Sequence, residues 1–521
     1  MKQLRRYVDQ LLKNFAGPKL NIACRETGKG EGFRSAYAGG GLTLEAESPL
    51  AAIYGINLLS VGAASGHLAE FLGERAPSFP LRPLWFQRMA AWNGDRVDDL
   101  CRRVIELGYN ALLFPLHEEE EFPSQACSMI QDYGLKIILK PKWTVDPKHD
   151  NFLDPEYRNK MQTHLFCLQN QIPQMDYLFW EGTYAHVSRH PRAKHLLQAD
   201  LALMEVQMLE EMLHQHCSLI YYLPCQDVST AKRQTSWAST FFDDVGPKTI
   251  ISFSTVAGDP TLDHLPLHPF WNIFRTTPDV SFTPLLPIVN TGSVGQGEGF
   301  WPTLTFDLME QLVARCHRHR FIGALSLVRH LPRRGALLDC SLWVGSQMLW
   351  NSTSSATLFA ETWFSAFRPD FDFAAVEKEW RQMNFISRDL SRLRSIAQGT
   401  CSQEEYQTIA ESLLAQLSQL DVAIERHAHR SSSCRSTPSF QDYVTYFIRD
   451  ARRMIVHSLQ QYHLPMIGRL SGENREESFW TELQGDERVG SAVEVALLDE
   501  PKRGDGKMRL IYEETVGDIL N

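Results

Sequence analysis

The stretch YLFWEGTYAH, residues 177–186, sets a carboxylate at the end of an apolar run. Tyr177 to Trp180 suit a buried strand, and Glu181 follows directly, with Gly182, Thr183, Tyr184 and His186 behind it. Trp180 and Tyr184 flank the acid, and apolar walls favour the protonated carboxyl that a general acid needs. Cleavage of a glycosidic bond requires such an acid at the leaving oxygen, and usually a second carboxylate or a substrate amide to stabilise the oxocarbenium-like centre. Glu298, in the glycine-rich stretch NTGSVGQGEGFWP, and Asp259 are the carboxylates available as partners, with Glu298 read as the base. Arg88, Trp92, His117, Lys140, Trp143, Trp180, Tyr184, Asp227, Trp301 and Arg329 are candidates to hold the substrate. Flat aromatic faces pack against pyranose rings while polar groups take the hydroxyls, and Trp85, Trp237 and Trp271 suit either that role or a core.

Other chemistries find less support. His214 and His216 are too close in sequence to share a helical face, and His186 and His190 could share one, but no HExxH or paired-cysteine motif supports them, so no metal site and no cofactor is expected. There is no GxSxG elbow for a serine nucleophile, and the glycines of TGKGEG and AGGG lack the order of a phosphate loop and read as hairpin turns.

These residues need elements to position them. Between about residues 82 and 350, strand-like runs alternate with amphipathic segments. Eight strands are expected, at 84–90, 111–117, 136–141, 177–182, 219–224, 249–255, 280–287 and 321–328. Eight alternations close naturally into a (β/α)8 TIM barrel, in which catalytic groups stand at the carboxyl ends of the strands, where the residues named above fall. The expected organisation is a small N-terminal α/β lobe at 1–80, the barrel at 81–368, a C-terminal helical extension at 369–468 and a charged tail at 469–521.

At 521 residues, with 43% hydrophobic and 22% charged residues, the chain affords a large core, and no apolar run reaches the length of a membrane helix. The N-terminal MKQLRRYVDQLLKNF reads as an amphipathic helix rather than a leader. Ten cysteines without a CxxC pair point to reduced thiols, and the expected location is cytoplasmic. A net charge of −10 argues against nucleic-acid binding, and the basic RCHRHR at 315–320 reads as a helix end that complements the helix dipole.

Three segments together resemble the glycoside hydrolases that place a small α/β lobe before a catalytic barrel, the β-N-acetylhexosaminidases and the α-glucuronidases. LTLEAESPLAAIYGINLLSVGAA followed by FPLRPLWF is similar to the end of that lobe and its entry into the first barrel strand. YLFWEGTYAH is similar to the fourth strand with the general acid, and GALLDCSLWVGSQMLWNSTSSATLFAETWFSAF to the closing helix and the start of the extension seen in α-glucuronidases. The resemblance implies a carbohydrate substrate and Glu181 as acid. Hexosaminidases carry an Asp-Glu pair at this point, whereas Trp180 precedes Glu181 here, a departure that puts substrate-assisted cleavage in doubt. α-Glucuronidases use a lone acid there, with bases on later strands. In that case Asp259 or Glu298 supplies the base, and Arg88, Lys140, Lys142 or Arg329 holds a uronate carboxylate. The competing expectation is a catalytically silent barrel that binds carbohydrate or serves as a scaffold, with the helical extension forming a homodimer.

Overall fold

The computed structural model describes residues 2–15, 17–24, 30–38, 40–86, 94–116, 124–141, 143, 151–225, 227–257, 267–276, 283–292, 306–328, 335, 337–369 and 403–428, with shorter helical pieces between 373 and 390 and between 444 and 451. The tail at 469–521 lies outside the described residues.

Helix α1 (Lys2–Lys13) opens the chain and buries Leu4 and Tyr7. A four-stranded sheet follows, built from β1 (Leu20–Cys24), β2 (Phe33–Ala38), β3 (Gly41–Ala46) and β4 (Gly73–Arg75) in the order β1-β3-β2-β4. β2 and β3 form an antiparallel hairpin whose turn contains Gly40 at φ +81°, so the glycine run serves a turn. Helix α2 (Pro49–Ser65) packs on this sheet and is apolar on every side, as expected of a helix covered on all faces. Ser48 caps its start by accepting the Ala51 N–H at 3.1 Å. The sequence reads as one helix through Leu72, but Gly66 takes the left-handed conformation at φ +80° and stops it, and only a short 3-10 turn at Leu68–Phe71 follows.

The barrel then runs through β5 (Pro83–Phe86), α3 (Gly94–Glu106), β6 (Ala111–Leu116), α4 (Ser124–Asp132), β7 (Lys136–Pro141), α5 (Pro155–Gln171), β8 (Tyr177–Glu181), α6 (Tyr184–Val187), α7 (Gln198–Met212), β9 (Ser218–Leu223), α8 (Val228–Val245), β10 (Ile250–Ser254), α9 (Phe270–Thr276), β11 (Leu285–Gly292), α10 (Phe306–Arg318) and β12 (Leu325–Val328). The strands β5 to β12 pair in parallel, each with the next, and β12 pairs with β5 to close the cylinder. Alternation along each strand divides the core. Trp85, Leu113, Ile138, Phe179, Ile220, Tyr222, Ile288 and Leu327 meet inside the barrel, while Phe86, Leu112, Leu139, Trp180, Tyr221, Phe253 and Val289 face the helices. Each such apolar side chain contributes about 1.5–3 kcal/mol on burial.

The seventh barrel strand is displaced from expectation. The sequence places it at 280–287, but β11 is Leu285–Gly292, because Ile251 pairs with Leu285 and Ile288 with Leu325. Asn290 and Thr291 look like loop residues, yet they lie in the strand, where the buried Thr291 hydroxyl donates to the Leu327 carbonyl at 3.1 Å. Arg315, His317 and Arg318 fall in the last turn of α10, the dipole-complementing end read from the sequence.

Helices α11 (Leu337–Trp350) and α12 (Ala356–Phe367) follow, and a 26-residue helix, Gln403–Ala428, continues the C-terminal helical region. The lobe is fixed to the amino end of the barrel by Arg82, which is fully buried and ion-pairs with Glu31. Its guanidinium donates to the carbonyls of Gly108 (3.0 Å) and Phe79 (2.8 Å) and lies over the rings of Trp350 and Tyr54. Among the described residues no helix is long and apolar enough to cross a membrane.

Candidate active site at the carboxyl end of the barrel

Glu181 is the last residue of β8, the fourth barrel strand, and shares a face with Tyr177 and Phe179. That face is the inner one. The side chain therefore rises from the barrel interior at its carboxyl end, and it is 51% exposed. Its partner is Lys140, near the end of β7 and also on the inner face, with Nζ 2.9 Å from the carboxylate. Lys140 is 23% exposed. Its ammonium also stands 4.9 Å from the centre of the Trp85 ring and 5.9 Å from that of Phe179.

Below this ion pair lies an aromatic floor. Trp85 packs on Phe179 with ring centres 5.5 Å apart, and Phe179 stacks on Tyr222 at 5.7 Å. The Trp85 indole N–H is buried and has no hydrogen-bond partner among the described residues, as does the Ser252 hydroxyl on β10. The barrel mouth thus offers a carboxylate, an ammonium and an apolar platform, a set suited to a polyhydroxylated ligand.

The other face of β8 explains the rest of the motif. Trp180 points outward and donates its indole N–H to Glu205 of α7 at 2.9 Å. Glu205 also accepts the backbone N–H of Thr183 (2.9 Å), the Thr183 hydroxyl (2.7 Å), the backbone N–H of Tyr184 (3.1 Å) and the Tyr221 hydroxyl (2.7 Å). Burial pushes its carboxyl above the ordinary range, and the donors Thr183, Tyr221 and Trp180 pull it back. Gly182 sits between the two faces. A Cβ there would come within 2.5 Å of the Tyr221 hydroxyl, so only glycine lets the turn approach β9 this closely.

Glu205 is absent from the sequence-derived site, although a signal for it exists. It occupies the apolar stripe of α7 with Leu201, Ala202, Val206, Met208 and Leu209, where a carboxylate needs a buried partner. Its role is to position the turn that follows Glu181.

The remaining candidates divide by location. Trp180 and Tyr184 do not wall Glu181: both lie in the helix layer, where Tyr184 is 1% exposed, accepts a hydrogen bond from Gln234 at 2.7 Å and packs edge-on against Trp237. Trp143 packs among Tyr157, His164 and Trp180 and donates its indole N–H to Tyr157, also on the helix side. Asp227 caps α8 by accepting the Thr230 N–H at 2.6 Å, and that bond holds its carboxyl below the usual range. Trp271 donates to the Thr255 carbonyl and stacks on Phe321 in the core. Arg88, Trp92, His117, Asp259, Glu298, Trp301 and Arg329, together with Lys142, lie outside the described residues.

The fold can be placed among known structures. No family model matches the sequence, and no curated protein matches it significantly. Among solved structures, a GH138 enzyme targeting pectin rhamnogalacturonan II is similar with a TM-score of 0.58, covering 94% of this chain and 72% of its own, at 10% identity. The GH20 exo-β-N-acetylglucosaminidase of Vibrio harveyi follows with a TM-score of 0.46 at 10% identity, covering 70% of this chain and 71% of its own. The N-acetyl-β-hexosaminidase of Streptomyces plicatus reaches 0.44 at 11% identity, covering 70% of this chain and 89% of its own. The first likeness identifies a shared fold: a parallel eight-stranded barrel with an N-terminal sheet region and a C-terminal helical region.

Proposed function

We propose that the protein is a glycoside hydrolase, with Glu181 acting at the glycosidic oxygen. The observation that carries this reading is the position of Glu181, on the inner face at the carboxyl end of a barrel strand, half-exposed above aromatic rings and held at 2.9 Å by Lys140. The fold shared with a GH138 enzyme supports it by analogy of architecture. Glu298 or Asp259 is the proposed second carboxylate. A separation of about 6.5–9.5 Å from Glu181 gives inversion, and about 5–5.5 Å gives retention.

The ion pair bears on the substrate class. A carboxylate engaged by an ammonium is poorly placed to give up a proton until the cation is drawn elsewhere. A uronate carboxylate does that: Lys140 would turn to the substrate, and Glu181, half-exposed, would take a proton from solvent and then serve as acid, which favours the α-glucuronidase-like assignment over the hexosaminidase-like one. Lys140→Met is then expected to lose about tenfold to a hundredfold in kcat/KM on aryl uronides and far less on neutral aryl glycosides. An equal loss on both would leave Lys140 without a role in substrate choice.

The same ion pair also motivates a second reading, a silent barrel that binds carbohydrate without cleaving it. Wild type and Glu181→Gln, assayed against aryl glucuronides, N-acetylhexosaminides and simple hexosides, separate the two. Hydrolysis by the wild type that disappears in the variant establishes the enzyme. No turnover of any glycoside by the wild type supports the binding role.

A further inference from the structure

At the amino end of the barrel, away from Glu181, a cavity of about 270 Å³ lies where the lobe meets the barrel. From the lobe it is lined by α2 and β4, and from the barrel side by the ends of α3 and α11. Its aromatic walls include Tyr54 and Trp350, both clamped by Arg82, so the cavity is set in a rigid frame. Several of its polar groups are already engaged. Arg75 donates to the carbonyls of Glu70 (2.7 Å) and Phe71 (3.4 Å), Ser78 to that of Trp350 (3.0 Å), and the Trp350 indole to that of Gly108 (3.1 Å).

Asn57 is different. It is 9% exposed, and its Nδ2 is buried without a hydrogen-bond partner among the described residues. A buried amide left unpaired costs stability, and this one is able to pair with a water or a ligand that enters the cavity. Gln347, 8% exposed, lines the same cavity, as do Asn351, Glu74 and Glu106.

The chemistry of this lining selects its ligand. Among the described residues the lining carries one cation, Arg75, which donates to backbone carbonyls, against the two carboxylates of Glu74 and Glu106, a balance that does not favour a phosphate or carboxylate. Glu106 is held by Tyr7 and Arg103 and the Asn351 side-chain carbonyl by Thr353, which leaves the amides of Asn57 and Gln347, the carboxylate of Glu74 and the rings of Tyr54, Trp343 and Trp350, a set that recognises a neutral polyhydroxylated ring. The volume lies near the lower end of ligand pockets, about 300 Å³, and suits one ring rather than a chain. We propose that this cavity binds a single neutral sugar ring, free or as the terminal unit of a glycan. The proposal stands independently of the glycosidase reading, because the residues involved lie at the other end of the barrel.

The test uses the full chain, with D-glucose, D-galactose, D-xylose and N-acetyl-D-glucosamine as probes, each free and as the end unit of a disaccharide. Binding is read by saturation-transfer NMR and tryptophan fluorescence on wild type, Glu181→Gln, Asn57→Leu and Gln347→Leu. The expected result is binding that Asn57→Leu and Gln347→Leu each weaken about tenfold, with Glu181→Gln reporting separately any sugar held at the barrel mouth. A preference for the free or the linked sugar names the source. Without sugar, Asn57→Leu is expected to melt at or above the wild-type temperature, since an apolar group of similar size replaces an unpaired amide. Melting below the wild type would make Asn57 a packing residue and overturn the proposal. So would a panel in which no sugar binds, or binding that survives both cavity substitutions undiminished.

Discussion

Glu181 and Glu205 stand on opposite sides of one strand, and they solve opposite problems. Glu181 is half-exposed beside a single ammonium, and its ion pair contributes only about 0–1 kcal/mol to stability. Glu205 is buried and receives its hydrogen bonds from neutral donors of β8, β9 and the turn between β8 and α6. On the proposed reading the difference separates chemistry from scaffolding: the carboxylate that can change partners faces the barrel mouth, and the one that cannot holds the backbone behind it.

The largest expected effect is on the exposed member. Glu181→Gln should lower kcat by about 10²- to 10⁴-fold on whichever glycoside proves to be a substrate, with a urea midpoint unchanged from wild type. An equal loss of activity and stability would erase the contrast between the two carboxylates. Glu205→Gln should do the reverse. The new amide would turn N–H groups toward donors from Trp180, Thr183 and Tyr184, and a destabilisation of about 2–3 kcal/mol is expected in urea unfolding.

A pH titration of stability sharpens the comparison further. His268, whose Nε2 lies 3.3 Å from Gln234 in the layer that holds Tyr184, is pushed down to about 3 by burial. Its folded value lies below the unfolded 6.5, so the folded state binds the proton less tightly. Its contribution to stability is therefore present above about pH 6.5 and is lost as pH falls toward 3, on the order of 2 kcal/mol or more. His268→Gln should flatten that slope in unfolding curves recorded across this range, and an unaltered slope would discard the assignment. The smallest effect belongs to Asp227. Its replacement by alanine should cost about 1 kcal/mol as a lost helix cap and leave kcat/KM unchanged. A large activity loss there would move Asp227 from the scaffold to the site.

The barrel was legible in the sequence because eight apolar runs alternate with amphipathic ones, a signal that depends on period and not on partners. The carboxylate at the end of the fourth run was legible for the same reason. Its surroundings were not. Trp180 and Tyr184 are neighbours of Glu181 along the chain, but strand alternation turns Trp180 to the other face and the glycine turn carries Tyr184 into the helix layer. Lys140 was named as a candidate, yet its pairing with Glu181 depends on β7 lying beside β8, a long-range fact that no local pattern carries. Asn290 and Thr291 misled the strand reading because polarity marks a loop only where the backbone lacks a paired neighbour. Glu205 had a local signal, a carboxylate on an apolar helical stripe, and that signal can be sought in other chains.

Gly182 gives these two carboxylates separate histories. Random change at position 181 touches one exposed ion pair, so if Glu181 is the proposed acid, a lineage that no longer needs that reaction can lose the glutamate without losing the protein. Change at position 182 meets the Tyr221 hydroxyl and, through it, Glu205. In a set of descendants, a varied 181 beside an unvaried 182, 183 and 205 would record a barrel that stopped working and went on folding.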